Sequence, residues 1–325
     1  MSNWGDRFMG AILAGGKGTR MGSFLEHYPK PLLPVANKPL MQHQIELMRD
    51  LGIRDILILI GHKGFEITRC FGDGSHLGVH IRYVEQTQTL GIAHAAGRFE
   101  PLVDRPMLMF LGDIFFVPRR LEEMFERFEA QGGGAVLAAK HEPDPRNVSK
   151  NFAMVLGDDG RVRRVIEKPR HPPNNLKGVG LYLFDLTVFD AIRRTPRTAA
   201  RDEYEITESI QVMIDDGLPV GVSMCIEDDI NVTTPDDLLA CNLQLARAAQ
   251  GGALLGPGLQ LAEGARIENA VVGSHVRVQR PIAIRNSLVF DHTCIDGTGD
   301  IHDAIVTPAG VFSCKPSDIR VSGRT

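Results

Sequence analysis

Cysteine is scarce in this chain and lacks the spacing that would give it a structural task. The five cysteines among 325 residues (Cys70, Cys225, Cys241, Cys294 and Cys314) are scattered, odd in number and never arranged as CxxC. That fits free thiols in a reducing compartment better than a disulfide framework or a thiolate zinc site. Long apolar runs are missing too: none approaches the roughly 20 residues that cross a bilayer. The opening MSNWGDRF has no apolar core of the length a signal peptide needs. A cytoplasmic protein without membrane association is therefore expected. There is no excess of positive charge, the formal net charge being −4. This argues against a nucleic-acid binder dominated by phosphate neutralisation, whereas a small phosphorylated substrate needs only a few local cations. The familiar phosphate motifs are also absent. GGKGTR has its lysine before the last glycine, which breaks the GxxxxGK[ST] pattern, and GxGxxG does not match.

The most informative stretch is AGGKGTRMGSFLEHYPKPLLPV, from Ala14 to Val35. It follows an apolar run, Met9 to Leu13, that reads as a first strand. Ala14, Gly15, Gly16 and Gly18 crowd its start, and two cations follow, Arg20 and Lys30, the lysine between Pro29 and Pro31. Small residues let backbone N–H groups approach an anion closely. A row of such donors with fixed cations nearby makes a phosphate cradle. A plain connector would not explain a lysine bracketed by prolines and followed by LLPV.

A length of 325 residues is consistent with two domains, and 43% apolar with 23% charged residues is ordinary globular composition. Strands are expected at Ile53–Ile60, Val79–Val84, Met107–Leu111, Ala135–Ala139, Val179–Phe184 and Val220–Ile226. Helices are expected over Lys38–Asp50, Phe65–Phe71, Ile92–Phe99, Leu121–Ala130, Glu205–Asp216 and from Pro235 to Ala249. Alternation at this spacing implies βαβ units and a mostly parallel, Rossmann-like α/β sheet. GDDG (157–160) reads as the turn of a hairpin between Phe152–Leu156 and Arg161–Glu167. Glycines 251, 252, 256 and 258 mark a boundary, giving a domain over 1–252 and a second module over 253–325.

Beyond that boundary apolar residues recur every six positions: Val276, Ile282, Leu288, Cys294, Val306 and Phe312. A companion row runs through Val278, Ile284 and Phe290, with Asp300 and Asp296 as interruptions. A period of six belongs to neither an α-helix nor a lone strand, and marks a short parallel β-helix. About three coils are too few to expect independent stability, so packing on the main domain or on another subunit is expected.

LAGGKGTRM…YPKPLLPV resembles the signature of the sugar-1-phosphate nucleotidylyltransferases, above all the glucose-1-phosphate thymidylyltransferases with a C-terminal left-handed β-helix. YVEQTQTLGIAHAA (83–96), FLGDIFF (110–116), IEKP (166–169), GLYLFD (180–185), EYEITESI (203–210) and INVTTPDDLLACN (230–242) follow in the family's order and spacing. The resemblance covers residues 9 to 250. It implies attack by a sugar 1-phosphate oxygen on the α-phosphorus of a nucleoside triphosphate, dTTP and glucose 1-phosphate being the first expectation. UTP, CTP or GTP, another sugar, or a catalytically silent regulatory relative are the alternatives.

By the same resemblance Leu13, Ala14, Gly15, Gly16, Gly18, Thr19 and Arg20 hold the triphosphate, and Lys30 neutralises charge near the α-phosphate. Gln86 and Gly91 meet the base. Asp113 is a Mg²⁺ ligand, with Asn231 where relatives usually have aspartate; Asp228 and Asp229, close by in sequence, are the alternatives for that second ligand. Lys168 reaches the sugar phosphate and Glu167 the sugar hydroxyls, with Glu205 and Tyr182 as further sugar contacts. A Glu–Lys pair is otherwise often just a solvated surface pair, and burial alone would account for Glu205 and Tyr182. Ala153 stands after Phe152 where relatives usually carry glycine, a departure at the sugar pocket. His94 reads as a packing or capping residue and not as a catalyst. His275, His292 and His302 in the tail raise acyl transfer as an alternative, but isolated histidines in a short coil are more often solvent-facing. An oligomerisation or regulatory role is favoured, in a homo-oligomer.

Overall fold

In the computed structural model, residues 4–16, 18, 21, 28–199 and 201–315 are described. Thr19 and Arg20 lie outside them. The chain divides into two compact units, Met1–Lys17 with Gln44–Asp229, and Gly18–His43 with Ile230–Thr325.

The first unit is built on a nine-stranded sheet. Its centre is parallel: Met9–Ala14 lies between Asp55–Ile60 and Met107–Leu111, and His80–Glu85 continues beyond Asp55–Ile60. Strands covered on both faces are apolar along their whole length, and DILILI and MLMFL are buried accordingly. On the other side Leu176–Phe184 runs antiparallel to Met107–Leu111, and the hairpin Phe152–Leu156/Val162–Glu167 extends the sheet from it. GDDG is the turn of that hairpin, closed by Gly160 N–H donating to Gly157 O at 2.9 Å. Ala135–His141 also pairs with Leu176–Phe184, and Val220–Ser223 follows it in parallel. The α/β class expected from the alternation is the one observed.

Several local expectations need correction. The strand expected from Val179 starts at Leu176 and takes a buried lysine, Lys177, into the sheet. The stretch Val220–Ile226 is two strands, Val220–Ser223 and Ile226–Asn231. Ile114–Pro118, which pairs with the strand beginning at Ile226, and the helix Thr187–Arg194 have no counterpart in the periodicity reading.

In the second unit, helix Pro235–Ala248 opens as expected with proline in its first turn. Thr234 and Asp237 complete a reciprocal capping box there. The tail is a parallel β-helix whose successive strands stack at a spacing of 17 residues, not 18. One corner is a single residue in left-handed backbone, Asn269, Asn286 and then Asp303 (φ 46°, 46° and 48°). Asn and Asp tolerate that region better than most residues. The short corner makes a strict six-residue row slip by one position each coil. Ile295, not Cys294, is therefore in the coil's core, Val289 replaces Leu288 there, and Cys294 is exposed. Val276, Val278, Ile282, Ile284 and Val306 do line the core, as the rows suggested.

Candidate active site

Ligands of open α/β sheets gather at the carboxyl ends of the strands, and the first unit concentrates its unusual residues there. Leu13 and Ala14 end the first strand and Gly15 and Gly16 follow it. The adjacent strand ends crowd this turn. A Cβ on Gly61 would meet the Gly15 carbonyl oxygen at 2.5 Å, and one on Gly112 would meet the Leu13 carbonyl oxygen at 2.8 Å. Gly16 faces open space. Gly15 instead lies under the side chain of Gln86: a Cβ there would meet Gln86 Oε1 at 2.5 Å. The backbone N–H of Gln86 donates to Ile60 O at 2.8 Å, which fixes the residue at its strand end. Its Nε2 is buried with no hydrogen-bond partner among the described residues. Buried amide donors are nearly always satisfied, so a lone one calls for an explanation. Asp113 follows Gly112 at the end of Met107–Leu111, half-buried, on the strand next to the glycine turn.

Gly91 is held open by geometry. Its φ of +111° suits glycine, and a Cβ would run into the backbone of Tyr204. Tyr204 N–H donates to Leu90 O at 2.8 Å and Ala93 N–H to Tyr204 O at 2.9 Å. The 86–91 segment is thus latched to the chain just before Glu205. His94 stacks on Tyr204, and burial followed by the charge of Arg98 pushes its imidazole below the usual value. That matches the packing role read from the sequence. Gly91→Ala is expected to cost about 1–3 kcal/mol of backbone strain and to lower the melting temperature by several degrees in a thermal melt. An unchanged melting temperature would show that the latch yields freely.

Glu167, Lys168 and Glu205 come together beyond the hairpin. Lys168 Nζ lies 3.5 Å from Glu167 Oε1, and Thr207 Oγ1 donates to Glu167 Oε2 at 3.2 Å. Lys168 has a left-handed backbone, φ 41°, held by its N–H donating to Asn151 O at 2.7 Å. A lysine in that region is a strained residue of the kind that clusters at functional sites. Arg201, which the sequence reading passed over, donates to Glu205 at 2.7 Å and lies 3.5 Å from Glu167. Its spacing of four from Glu205 was the available signal, but the segment there is not helical, so helical pairing logic did not apply. Burial, then the charge of Glu167, pushes the Glu205 carboxyl up, with Arg201 pulling against them. Tyr182 stacks between Phe152 and Phe184 in the core. Its hydroxyl is pushed above its ordinary value by burial and then by Glu167 and Glu205. Ala153 is fully buried and pairs with Ile166.

Asp228 and Asp229 are engaged elsewhere. Both Asp229 oxygens accept from Lys177 Nζ, at 2.7 and 2.9 Å, and Lys140 Nζ lies 3.1 Å away. Lys140 also donates to Asp228 at 2.5 Å, and Glu142 lies within 3.7 Å of both lysines.

In the second unit Gly18 has φ 61°, and Asn231 ends the strand Ile226–Asn231, half-buried. Lys30 opens a 3₁₀ turn, Lys30–Leu32, and is only 8% exposed. In the coil His275 and His292 stack on each other at 5.2 Å, and both, like His302, are exposed. They are solvent-facing, as expected of histidines in a short coil.

The nucleotidyl transferase family profile matches residues 9–247. The chain belongs to this family. It is 37% identical over 236 residues to a low-salt glycan biosynthesis nucleotidyltransferase of Haloferax volcanii, an alignment covering 72% of this chain but 64% of that relative. It is 33% identical over 319 residues to a glucose-1-phosphate thymidylyltransferase of Streptomyces antibioticus, covering 96% of this chain and 83% of the relative. That alignment is long enough to run into the β-helix. Among solved structures, a UDP-glucose pyrophosphorylase complexed with UDP-glucose superposes with a TM-score of 0.67 over 75% of this chain and 99% of that one. At 19% identity this likeness speaks for the fold.

Proposed function

We propose that this chain transfers a nucleotidyl group from a nucleoside triphosphate to a sugar 1-phosphate, with dTTP and glucose 1-phosphate as the first pair. An oxygen of the sugar phosphate attacks the α-phosphorus in line. The bond from that phosphorus to the β-phosphate's bridging oxygen breaks, pyrophosphate leaves, and an NDP-sugar forms. Both reactants are anions, so the protein's work is alignment and charge neutralisation, not covalent catalysis.

The observation that carries this reading is the Gln86 amide, seated over Gly15 with a buried N–H₂ that no described residue partners. A nucleobase carbonyl above the glycine turn would satisfy it, and the phosphates would then lie on the Gly15–Gly16 backbone. Leu13, Ala14, Gly18, Thr19 and Arg20 complete the triphosphate contacts in this reading, with Gly91 beside the base. Lys30 neutralises charge at the α-phosphate. Glu167, Glu205 and Tyr182 serve the sugar, and Lys168 serves its phosphate. The same amide fits uracil as well as thymine, so UTP is the second arm of any assay.

Asp113 and Asn231 offer hard oxygen donors, one of them charged, which fits Mg²⁺ with substrate phosphates supplying the remaining ligands. When bound, the ion would offset phosphate charge. Among the described residues, no cluster of three or more His, Cys, Asp or Glu side chains makes a metal cage by itself. In the same reading the catalytic domain is 1–252 and the module 253–325 serves oligomerisation or regulation in a homo-oligomer. No helix among the described residues is long and apolar enough to cross a membrane, and all five cysteines are free thiols. Both are in keeping with a cytoplasmic enzyme.

The test is to incubate the protein with Mg²⁺, each nucleoside triphosphate and a panel of sugar 1-phosphates, and to follow pyrophosphate. Release is expected with dTTP and glucose 1-phosphate. No release with any pair would remove the enzymatic reading.

A further inference from the structure

We infer that the β-helix is a positioning element for Lys30, acting through Tyr28 and Asn37. The inference rests on the transfer reading above for its kinetic consequence, but its structural basis stands apart from that reading.

Lys30 sits in a short segment, 28–39, that makes little regular structure of its own: one 3₁₀ turn and a hairpin of two-residue strands, Pro34–Val35 and Lys38–Pro39. Such a segment does not fix a side chain unless something else grips it. The β-helix grips it on both sides of the lysine. Two residues before Lys30, the Tyr28 ring packs edge-on against Phe290, with centroids 4.9 Å apart and planes at 66°. The Tyr28 hydroxyl hydrogen-bonds with Thr307, and burial pushes its pKa up. Seven residues after Lys30, Asn37 Nδ2 donates to the Val272 carbonyl at 3.0 Å. Asn37 is in left-handed backbone, φ 63°, at the hairpin turn, which is where asparagine is at home.

The three gripping residues are not scattered over the coil. Val272, Phe290 and Thr307 belong to or directly follow three successive rungs of one sheet, Ala270–Val272, Leu288–Val289 and Ala304–Thr307. Phe290 and Thr307 are 5% and 3% exposed. Helix Pro235–Ala248 adds a third hold, since Asn242 accepts from Ala36 N–H and donates to Pro34 O, both at 2.9 Å. Lys30 lies between these anchors along the chain and is itself buried, so the hold on its backbone limits where its side chain can go. A coil that served only contacts between copies would have no need to place an aromatic residue and a hydroxyl against the residue two before the lysine.

The experiment uses the full chain with Phe290→Ala, Thr307→Val and Tyr28→Phe, and Val311→Ala on an exposed coil position as control. The rate at which an acetylating reagent modifies Lys30, followed by mass spectrometry, is read alongside kcat and both KM values. Phe290→Ala is expected to speed Lys30 modification several-fold and to lower kcat about tenfold, with each KM changing less than twofold. Phe290→Tyr is expected to recover most of both effects, and Val311→Ala to leave both unchanged. Thr307→Val and Tyr28→Phe should show the same direction with smaller size. If Phe290→Ala does not fold, these two milder variants decide the matter. Wild-type Lys30 reactivity and wild-type kcat in the gripping variants would overturn the inference. An inactive wild type whose Lys30 still becomes exposed in Phe290→Ala would overturn the transfer reading and leave the grip intact.

Discussion

Asp113→Ala is expected to lower the rate of pyrophosphate release by on the order of 10²–10³-fold, the loss that follows removal of one fixed group that stabilises developing charge. The expectation comes from where the chain puts this carboxylate. Met107–Leu111 is a buried strand beside the one that ends in the glycine turn, and Gly112 N–H donates to Leu13 O at 3.0 Å. No side chain fits at Gly112, because a Cβ would meet that same carbonyl at 2.8 Å. The backbone just before Asp113 is therefore tied to the end of the strand that runs into the glycine turn, the turn proposed to hold the phosphates. Asp113→Asn keeps an oxygen donor and loses the charge, so it should fall between wild type and alanine. Asn231→Ala should cost less than Asp113→Ala, because an amide adds no charge to offset that of the phosphates. Activity across a Mg²⁺ titration checks all three, with the loss in Asp113→Asn partly recovered at high Mg²⁺. Equal rates for Asp113→Ala and wild type would remove Asp113 from the reaction.

Much of this was readable in the sequence, for a physical reason. A strand buried on both faces must be apolar throughout, so DILILI and MLMFL announced themselves. A turn too crowded for a side chain favours glycine, so Gly15 did too. Proline in a first helical turn marked the start of Pro235–Ala248. What stayed hidden depended on partners far apart in the chain. Cys294 fell in the six-residue row because one-residue corners at Asn269, Asn286 and Asp303 cannot be counted without their backbone angles. Arg201 looked like one more surface arginine until Glu167 and Glu205 were brought beside it. Asp228 and Asp229 looked available as metal ligands, since no lysine or arginine stands near them in sequence. Their lysines lie 88 and 52 residues away.

Those lysines carry the second large expectation, Lys177→Ala. Lys177 and Lys140 are directly opposite on antiparallel strands, a pairing of like charges that would by itself destabilise the sheet. Asp229 lies within 3.1 Å of both ammonium groups, and its side chain is wholly buried, as is nearly all of Lys177. Burial pushes the Asp229 carboxyl up, and the two lysines pull it back down. Burial would likewise lower Lys140, but the carboxylates of Asp229 and Asp228 outweigh it and its pKa is raised. Removing Lys177 takes away the two short hydrogen bonds to Asp229 and leaves it, out of water, with Lys140 at 3.1 Å. Breaking a buried pair from one side costs about 3–5 kcal/mol. For a domain of this size that is roughly 6–20 °C of melting temperature at about 2–4 °C per kcal/mol. Replacing both partners, as Lys177→Met with Asp229→Leu, should restore much of the loss, because no charge is then stranded. Thermal melts of the two single variants and the double variant check this. If the double variant melts no higher than the single ones, the strand needs the charges themselves, not merely their mutual neutralisation.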